Sequence, residues 1–444
     1  MSEIFLISAR YLVPVRPKYQ VLDNHTVVVQ GSKILEIMPR HEATRRYPKA
    51  VEKMLDGHVL IPGLINMHCH SPMSLLRGYA DDLDMQSWLQ HHIWPVERRQ
   101  VSEQFVADGT RLAIAEMLRG GTTCFNDLYF FPEVAATVVR ETGIRANLGF
   151  PVLDMPTPWS ESAADCLNKA TRQLQACQNK EGRDDRISFT LAPHAPYSVN
   201  DDAFRHIAHL SAEWRIPVHL HLLETVYDIS HSQAAYSEHP LQRLDRLGVL
   251  NDRLLAVHMT QLEMADVRLL KERGVHVIHC PRSNLKLASG YCPIAALLQA
   301  GVNVSVGTDG AASNNRLDML SETQVAGLLA KGQSGNAVCV DAFTQLEMMT
   351  INGAVALGQS EVLGSIEPGK WADLVALDLA QPETQPLHNV VSQIAYAASI
   401  RQVTDVWVAG QHLLQKGALE HTNLAEILDN ADQWRRRITV TAGC

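Results

Sequence analysis

Four short stretches of the chain carry side chains that can bind and activate a reactant. Met67-His68-Cys69-His70 places two imidazoles at i and i+2. On an extended strand such side chains leave on one side, so both can reach one ion while Cys69 points away. His219-Leu220-His221-Leu222-Leu223-Glu224 adds two histidines of one parity and an acid three residues after the second. Val257-His258 and Gly307-Thr308-Asp309-Gly310 each end an apolar run on a polar residue. A catalytic zinc site takes imidazole and carboxylate ligands and keeps one position for water. Water in that position loses its proton near pH 7, and a neighbouring carboxylate can take and return that proton. His68, His70, a histidine of the 219/221 pair and Asp309 supply the mixed ligand shell, and Glu224 is the candidate proton carrier. His219 reads more readily as a polar residue deeper in the fold, but spacing alone leaves it and His221 both open as the ligand. His276, His279 and the pair His91 and His92 read as structural or surface residues. Cys280 reads as a small buried hydrophobe, and Asp127 as a turn or cap residue.

These residues need elements to bring them together. Eight apolar strand candidates run Val59–His68, Thr122–Asn126, Ile144–Pro151, Ile187–Ala192, Ile216–Leu222, Leu254–His258, Val275–His279 and Asn303–Gly307. Amphipathic helical stretches such as Ser102–Arg119 and Asp201–Trp214 separate most of them. Alternating strands and helices imply a parallel sheet, and eight units imply an α/β fold of the (β/α)8 TIM-barrel type. The alternative, an open doubly wound sheet, lacks a glycine-rich phosphate loop after any strand. In a barrel the catalytic groups sit at the C-terminal strand ends, which is where these histidines and acids fall. No lysine ends the fourth strand candidate, where a carbamate would bridge a second metal, so one ion is expected. Residues 71–98 form a long insertion after the first strand, suited to an active-site loop.

Both chain ends are β-rich. Thr26–Gln30 and Lys33–Met38 flank a Gly31-Ser32 turn, and Trp371–Leu379 and Val403–Val408 follow the barrel. Neither block makes a core alone, so a small β-sandwich domain built from both chain ends is expected. It would comprise residues 1–61 plus 364–444 with a C-terminal helix, leaving 62–363 as the catalytic barrel. Lys+Arg total 39 against 48 Asp+Glu, a formal charge of −9. The only basic run, Arg435-Arg436-Arg437, suits the C-terminal end of a helix. Nucleic-acid binding, which needs a basic footprint, is not expected. No apolar run reaches the roughly 18 residues of a membrane span, and Met1–Tyr11 lacks the pattern of a signal peptide. The eight dispersed cysteines, at 69, 124, 166, 177, 280, 292, 339 and 444, suit free thiols in a reducing cytoplasm. A homo-oligomer is compatible with the sequence, which locates no interface.

PGLINMHCH (62–70), HLHLLET (219–225), VHMT (257–260), GTDG (307–310) and GSIEPGKWADLVALD (364–378) resemble the amidohydrolase superfamily over nearly the whole chain. WLQHHIWPVE (88–97) and LAPHAPYS (191–198) are similar to its 5-methylthioadenosine/S-adenosylhomocysteine deaminases. HCPRSNLKLASG (279–290) is shared with chlorohydrolases of the same branch. The resemblance implies metal ligands His68, His70, His221 and Asp309, and it selects His221 because the family's ligand stands three residues before the acid. It implies Glu224 as proton shuttle, and His258 as a further polar contact to the activated water or leaving group. Asp309 would also accept the water proton. Glu97 would bind the ribose hydroxyls, His194 the purine ring, and Trp88 would line the pocket. These roles suit the groups, since a carboxylate accepts from two vicinal hydroxyls and an imidazole donates to a ring nitrogen.

The implied reaction is hydrolytic deamination at C6 of an adenosine-type nucleoside. One zinc ion is implied, though iron or manganese tolerates the same ligands. The alternative is another amino-heterocycle such as guanine, a pterin or a triazine, for which a diol-binding Glu97 has no use. Some family members place an arginine a few residues beyond the Arg145-Ala146 match, for the amino-acid carboxylate of S-adenosylhomocysteine. Here that stretch reads Asn147-Leu148-Gly149-Phe150-Pro151. Phe150 near the 5′ end would favour 5′-methylthioadenosine.

Overall fold

The computed structural model describes residues 3–178 and 184–442. Four strands open the chain: β1 (Ile4–Leu12), β2 (Leu22–Gln30), β3 (Lys33–Pro39) and β4 (Val51–Pro62). Eight follow in the middle: β5 (Leu64–Cys69), β6 (Thr122–Leu128), β7 (Arg145–Val152), β8 (Ile187–Pro193), β9 (Val218–Leu222), β10 (Leu254–His258), β11 (His276–His279) and β12 (Asn303–Val306). Four close it: β13 (Leu374–Asp378), β14 (Val403–Val408), β15 (Gln411–Gln415) and β16 (Ala418–Leu419).

The middle eight form one parallel sheet in sequence order. It closes where Asp309 N–H, just past β12, donates to His68 O of β5 at 2.9 Å. Closure is possible because residue 307 is glycine: a Cβ there would fall 2.5 Å from the His68 nitrogen. Strands β5, β6, β7, β9 and β10 are buried along their whole length. That explains their apolar runs, which helices cover from outside. The helix Glu103–Arg119 starts on Ser102, whose hydroxyl accepts from Phe105 N–H. The helix Asp201–Trp214 starts on Asn200 in the same way.

Two readings of the sequence need correction. The candidate strand Val59–His68 is two strands in two sheets. β4 runs to Pro62 beside β1 and β13, and β5 starts the barrel at Leu64. An unbroken apolar run hides the change, and only Gly63 marks it. A Cβ there would lie 1.9 Å from Thr123 Oγ1, so no other residue fits the crossing. The basic run 435–437 does not serve a helix end. Arg435 and Arg436 pair with Asp432 one turn earlier, and Arg437 lies over the Trp434 ring.

The outer strands form a second sheet in the order β16-β15-β14-β13-β4-β1-β2-β3. Period-two alternation gives it two apolar faces. Ile7, Val27 and Val29 point to one side and Leu6 and Val28 to the other. The expected sandwich is this single ladder folded on itself, since Ile34 of β3 and Trp407 of β14 share one core cluster. Arg145 at the start of β7 joins the two sheets through a buried pair with Asp373, at 2.8 and 3.1 Å. The C-terminal helix Leu424–Ala442 lies on the barrel helix Glu103–Arg119. Trp434 Nε1 donates to Asp108 Oδ2 at 3.0 Å, and its ring meets Phe105 edge-on. No helix among the described residues is long and apolar enough to cross a membrane.

Candidate active site

The C-terminal ends of β5, β9, β10 and β12 bring His68, His70, His221, His258 and Asp309 together. Ligand atoms of His68, His70 and His221 lie within 4.8 Å of one another, as do those of His68, His258 and Asp309. Both His68 Nε2 and His70 Nε2 stand 3.3 Å from Asp309 Oδ1. The backbone turns left-handed at Leu223, His258, Met259 and Asp309. Such positions cost of order 1–3 kcal/mol each and gather at functional sites.

Second contacts hold each group. His70 Nδ1 meets Leu128 O, and His221 Nδ1 meets His194 O, both at 2.6 Å. Because a carbonyl only accepts, Nδ1 carries a proton in both rings, which leaves Nε2 as the nitrogen available to a metal. His258 Nδ1 meets Asn284 Oδ1 at 2.8 Å. Asp309 Oδ2 accepts from Ser283 Oγ at 2.5 Å and Ser313 Oγ at 2.9 Å. His219 lies under His68, with its Nε2 2.9 Å from His68 Nδ1, and stands outside the cluster of ligand atoms. Asp127 holds the turn after His70 by accepting from Ser71 N–H at 2.7 Å and Ser71 Oγ at 2.8 Å. His279 and Cys280 are buried, and His91 is exposed.

The electrostatics divide the carboxyl groups. Burial, with Asp309 and Asp228 nearby, pushes Glu224 well above the usual carboxyl range. Burial acts on Asp309 in the same sense, but His68 and His70 outweigh it and hold Asp309 well below. Two neighbouring carboxyls pushed apart in this way are suited to be an acid and a base. Burial keeps His258 and His194 neutral, His194 down at about 4. Glu224 Oε2 lies 3.6 Å from His258 Nε2.

A cavity of about 350 Å³ opens above this floor, within the range of small-molecule sites. His70, His221, Glu224, His258 and Asp309 form its base. The insertion after β5 supplies one wall: Met85, Trp88, Leu89, Ile93, Trp94 and Glu97. Trp88 to Ile93 form a π-helical turn, a form that gathers at functional sites. His194 lies on the opposite side, and Leu153, Met155, Pro156 and Pro158 complete the rim.

Phe150 is not part of the cavity. It is fully buried and stacks on Phe189 at 5.0 Å, on the side of the barrel wall away from the cavity, while Pro151 lines it. A one-residue error of parity moves a side chain to the other face of a strand. Four contributors escaped the sequence reading, among them Asn284, which meets His258. Tyr129 OH donates to Glu97 Oε1 at 2.6 Å, and Ser283 and Ser313 hold Asp309. Tyr129 stands one residue beyond β6, a strand-end position that could have flagged it. Arg98 is the only lysine or arginine among the described residues lining the cavity.

The donor set suits a divalent metal ion. His68 Nε2 is buried and makes no aligned hydrogen bond, although Asp309 Oδ1 is 3.3 Å away. A buried nitrogen in that state, beside two more imidazoles and a carboxylate, is suited to ligate a metal ion.

A closed parallel barrel with histidines and an aspartate gathered at its C-terminal mouth defines a metal-dependent hydrolase of the TIM-barrel class. The amidohydrolase family model matches residues 59–413, and the chain belongs to that family. It is 44% identical over 434 residues to the 5-methylthioadenosine/S-adenosylhomocysteine deaminase of Teredinibacter turnerae, covering 98% of this chain and 97% of that one. A 5′-deoxyadenosine deaminase of Methanopyrus kandleri is 39% identical over 86% of this chain and 87% of its own. The crystal structure of an adenosine deaminase from Xanthomonas campestris with bound zinc matches with TM-score 0.95 at 49% identity, over 99% of both chains.

Proposed function

We propose that this protein is a zinc-dependent deaminase that converts the 6-amino group of an adenosine-type nucleoside to a 6-oxo group, releasing ammonia. The observation that carries this reading is the gathering of His68, His70, His221, His258 and Asp309 at one cavity floor with Glu224 beside them, 3.6 Å from His258. His68, His70, His221 and Asp309 would hold the metal. A zinc ion held there supplies Lewis acidity and makes water a nucleophile near neutral pH. Iron and manganese accept the same donors.

The residues then divide the work. Glu224 gives its proton to N1 of the purine and so makes C6 electrophilic. Asp309 takes a proton from the attacking water and passes it to the departing amine. His258 has its Nδ1 proton committed to Asn284, so Nε2 presents a lone pair to the water or the leaving group. His194, neutral and anchored by Ser198 at 3.1 Å, meets the purine ring. Trp88 packs on the ligand. Glu97, set by Tyr129, accepts from the two ribose hydroxyls.

5′-Methylthioadenosine is the favoured member of the class. With Phe150 outside the cavity, support for that choice comes from the apolar rim of Met155, Pro156 and Pro158. S-Adenosylhomocysteine would set its charged tail on the same rim, where Arg98 is the available cation. We further propose the division into residues 1–61 plus 364–444 and residues 62–363. A cytoplasmic, reducing location fits the six described free cysteines, five of them buried. Cys444 and the side chain of Cys177 lie outside the description. A homo-oligomer remains compatible with this reading.

The test is ammonia release by zinc-loaded protein from 5′-methylthioadenosine, S-adenosylhomocysteine, adenosine, adenine and guanine. Turnover of the nucleosides with little on the free bases is expected. Turnover of guanine or adenine alone would overturn the nucleoside reading.

A further inference from the structure

His68 is oriented differently from its neighbours. His70 and His221 lean on backbone carbonyls, whereas His68 leans on a second, fully buried imidazole. The rings of His68 and His219 meet edge to face, with centroids 4.9 Å apart. The other nitrogen of His219 faces Asn126 Nδ2 at 3.2 Å. Asn126 in turn donates to Met67 O at 2.9 Å and accepts from Asn147 Nδ2 at 2.5 Å. Asn147 Oδ1 accepts from Ser188 Oγ at 2.9 Å, and Ser188 Oγ accepts from Gln359 Nε2 at 3.1 Å. The chain of contacts thus runs from the mouth of the barrel to the N-terminal ends of β7 and β8. Polar side chains in a barrel core are costly unless each is satisfied, and a leucine or valine at 219 would fill the space more simply. The contacts on both sides of the His219 ring therefore require a reason beyond packing.

We propose that His219 is the positioning residue for His68. It fixes the plane of the His68 ring by meeting Nδ1, so that Nε2 points into the cluster. With a metal on His68 Nε2 the proton sits on Nδ1 and His219 Nε2 accepts it; the Asn126 amide donates to His219 Nδ1 in the other tautomer, the metal-free arrangement, in which His219 Nε2 donates to His68 Nδ1. The inference rests on the reading of His68 as a metal ligand. Partners of this kind tune metal affinity by about 10–100-fold.

The test is zinc affinity of the purified full-length chain by competition with a chelating indicator, together with unfolding of the metal-free protein. H219L is expected to bind zinc about 10–100-fold more weakly. H219Q, whose amide can still meet His68 Nδ1, is expected to recover most of that affinity. A purely structural role would lower the metal-free unfolding midpoint and leave the affinities of the folded variants alike. Equal zinc affinity in H219L and wild type, or equal weakness in H219Q and H219L, would overturn the proposal. If H219L does not fold, His219→Phe decides, a ring of similar shape with no nitrogen: weaker zinc binding supports the proposal, and wild-type affinity overturns it. H68A serves as control, because wild-type zinc affinity in that variant would remove the ligand reading and this inference with it. Deaminase activity is not the readout, so a wrong substrate assignment leaves the result intact.

Discussion

The floor and the inserted wall of the cavity are built differently. On the floor, His70, His221, His258 and Asp309 each have a second contact at 2.5–2.9 Å. Those contacts come from the ends of β6 and β8 and from the short helices Pro281–Lys286 and Ala311–Asn314 that follow β11 and β12. On the wall, apolar Trp88, Leu89, Ile93 and Trp94 surround one carboxylate, Glu97, whose recorded partner is Tyr129. Metal-binding groups tethered in this way have their geometry set before a ligand arrives, as electrostatic catalysis requires. A wall of apolar groups on an insertion can change without disturbing that floor. The difference assigns chemistry to the floor and choice of substrate to the wall.

Substitutions on the two sides should therefore fail in different ways. The largest effect is expected on the floor. His68→Ala should lose the metal and with it all turnover, which metal analysis of the purified variant checks. Glu224→Gln should keep the metal and lose about 10²–10⁴-fold in kcat, since it can no longer give a proton to N1. Near-normal turnover in that variant would remove the role assigned to Glu224.

Wall substitutions should act on substrate binding and leave bound metal unchanged. Glu97→Gln should lower kcat/KM for ribosides by about 10-fold, in keeping with hydrogen bonds to a charged group at about 1.5–3 kcal/mol. Its pH profile is a sharper test. Burial pushes Glu97 up to about 6, against the lowering effect of Tyr129 and His70. As pH falls through about 6 the carboxyl takes a proton and becomes a poorer acceptor, so kcat/KM should fall on the acid side. Tyr129→Phe removes a lowering contact, so that fall should begin at a higher pH. Glu97→Gln should lack it. The smallest effect on the reaction is expected behind the wall. Phe150→Leu should leave kcat and KM unchanged and cost about 1 kcal/mol of stability, read from denaturant unfolding.

Much of this site was legible before any coordinates. His68 and His70 were readable as partners because a strand repeats every two residues. His258 and Asp309 were readable because they end apolar runs. Tyr129, Ser283, Ser313 and Asn284 were not singled out, because a hydroxyl or an amide becomes a tether only through what it faces. Phe150 was misplaced for a different reason. Burial does not distinguish the faces of β7; its alternation does, setting Arg145, Asn147, Gly149 and Pro151 against Ala146, Leu148, Phe150 and Val152. Gly63 shows the limit of such patterns, since the break between two sheets lies inside one apolar run.

The sequence by itself determined the alternation of strands and helices, the chemistry of the donor set and the strand ends at which it lies. These follow from local periodicity and residue type. Only the tertiary structure decided which groups meet the ligand side chains, Ser283 and Ser313 at Asp309 and Asn284 at His258, and that Tyr129 faces Glu97. Apart from that of Ser313, each of those contacts joins residues far apart in the chain, and folding into the barrel is what makes those distances short.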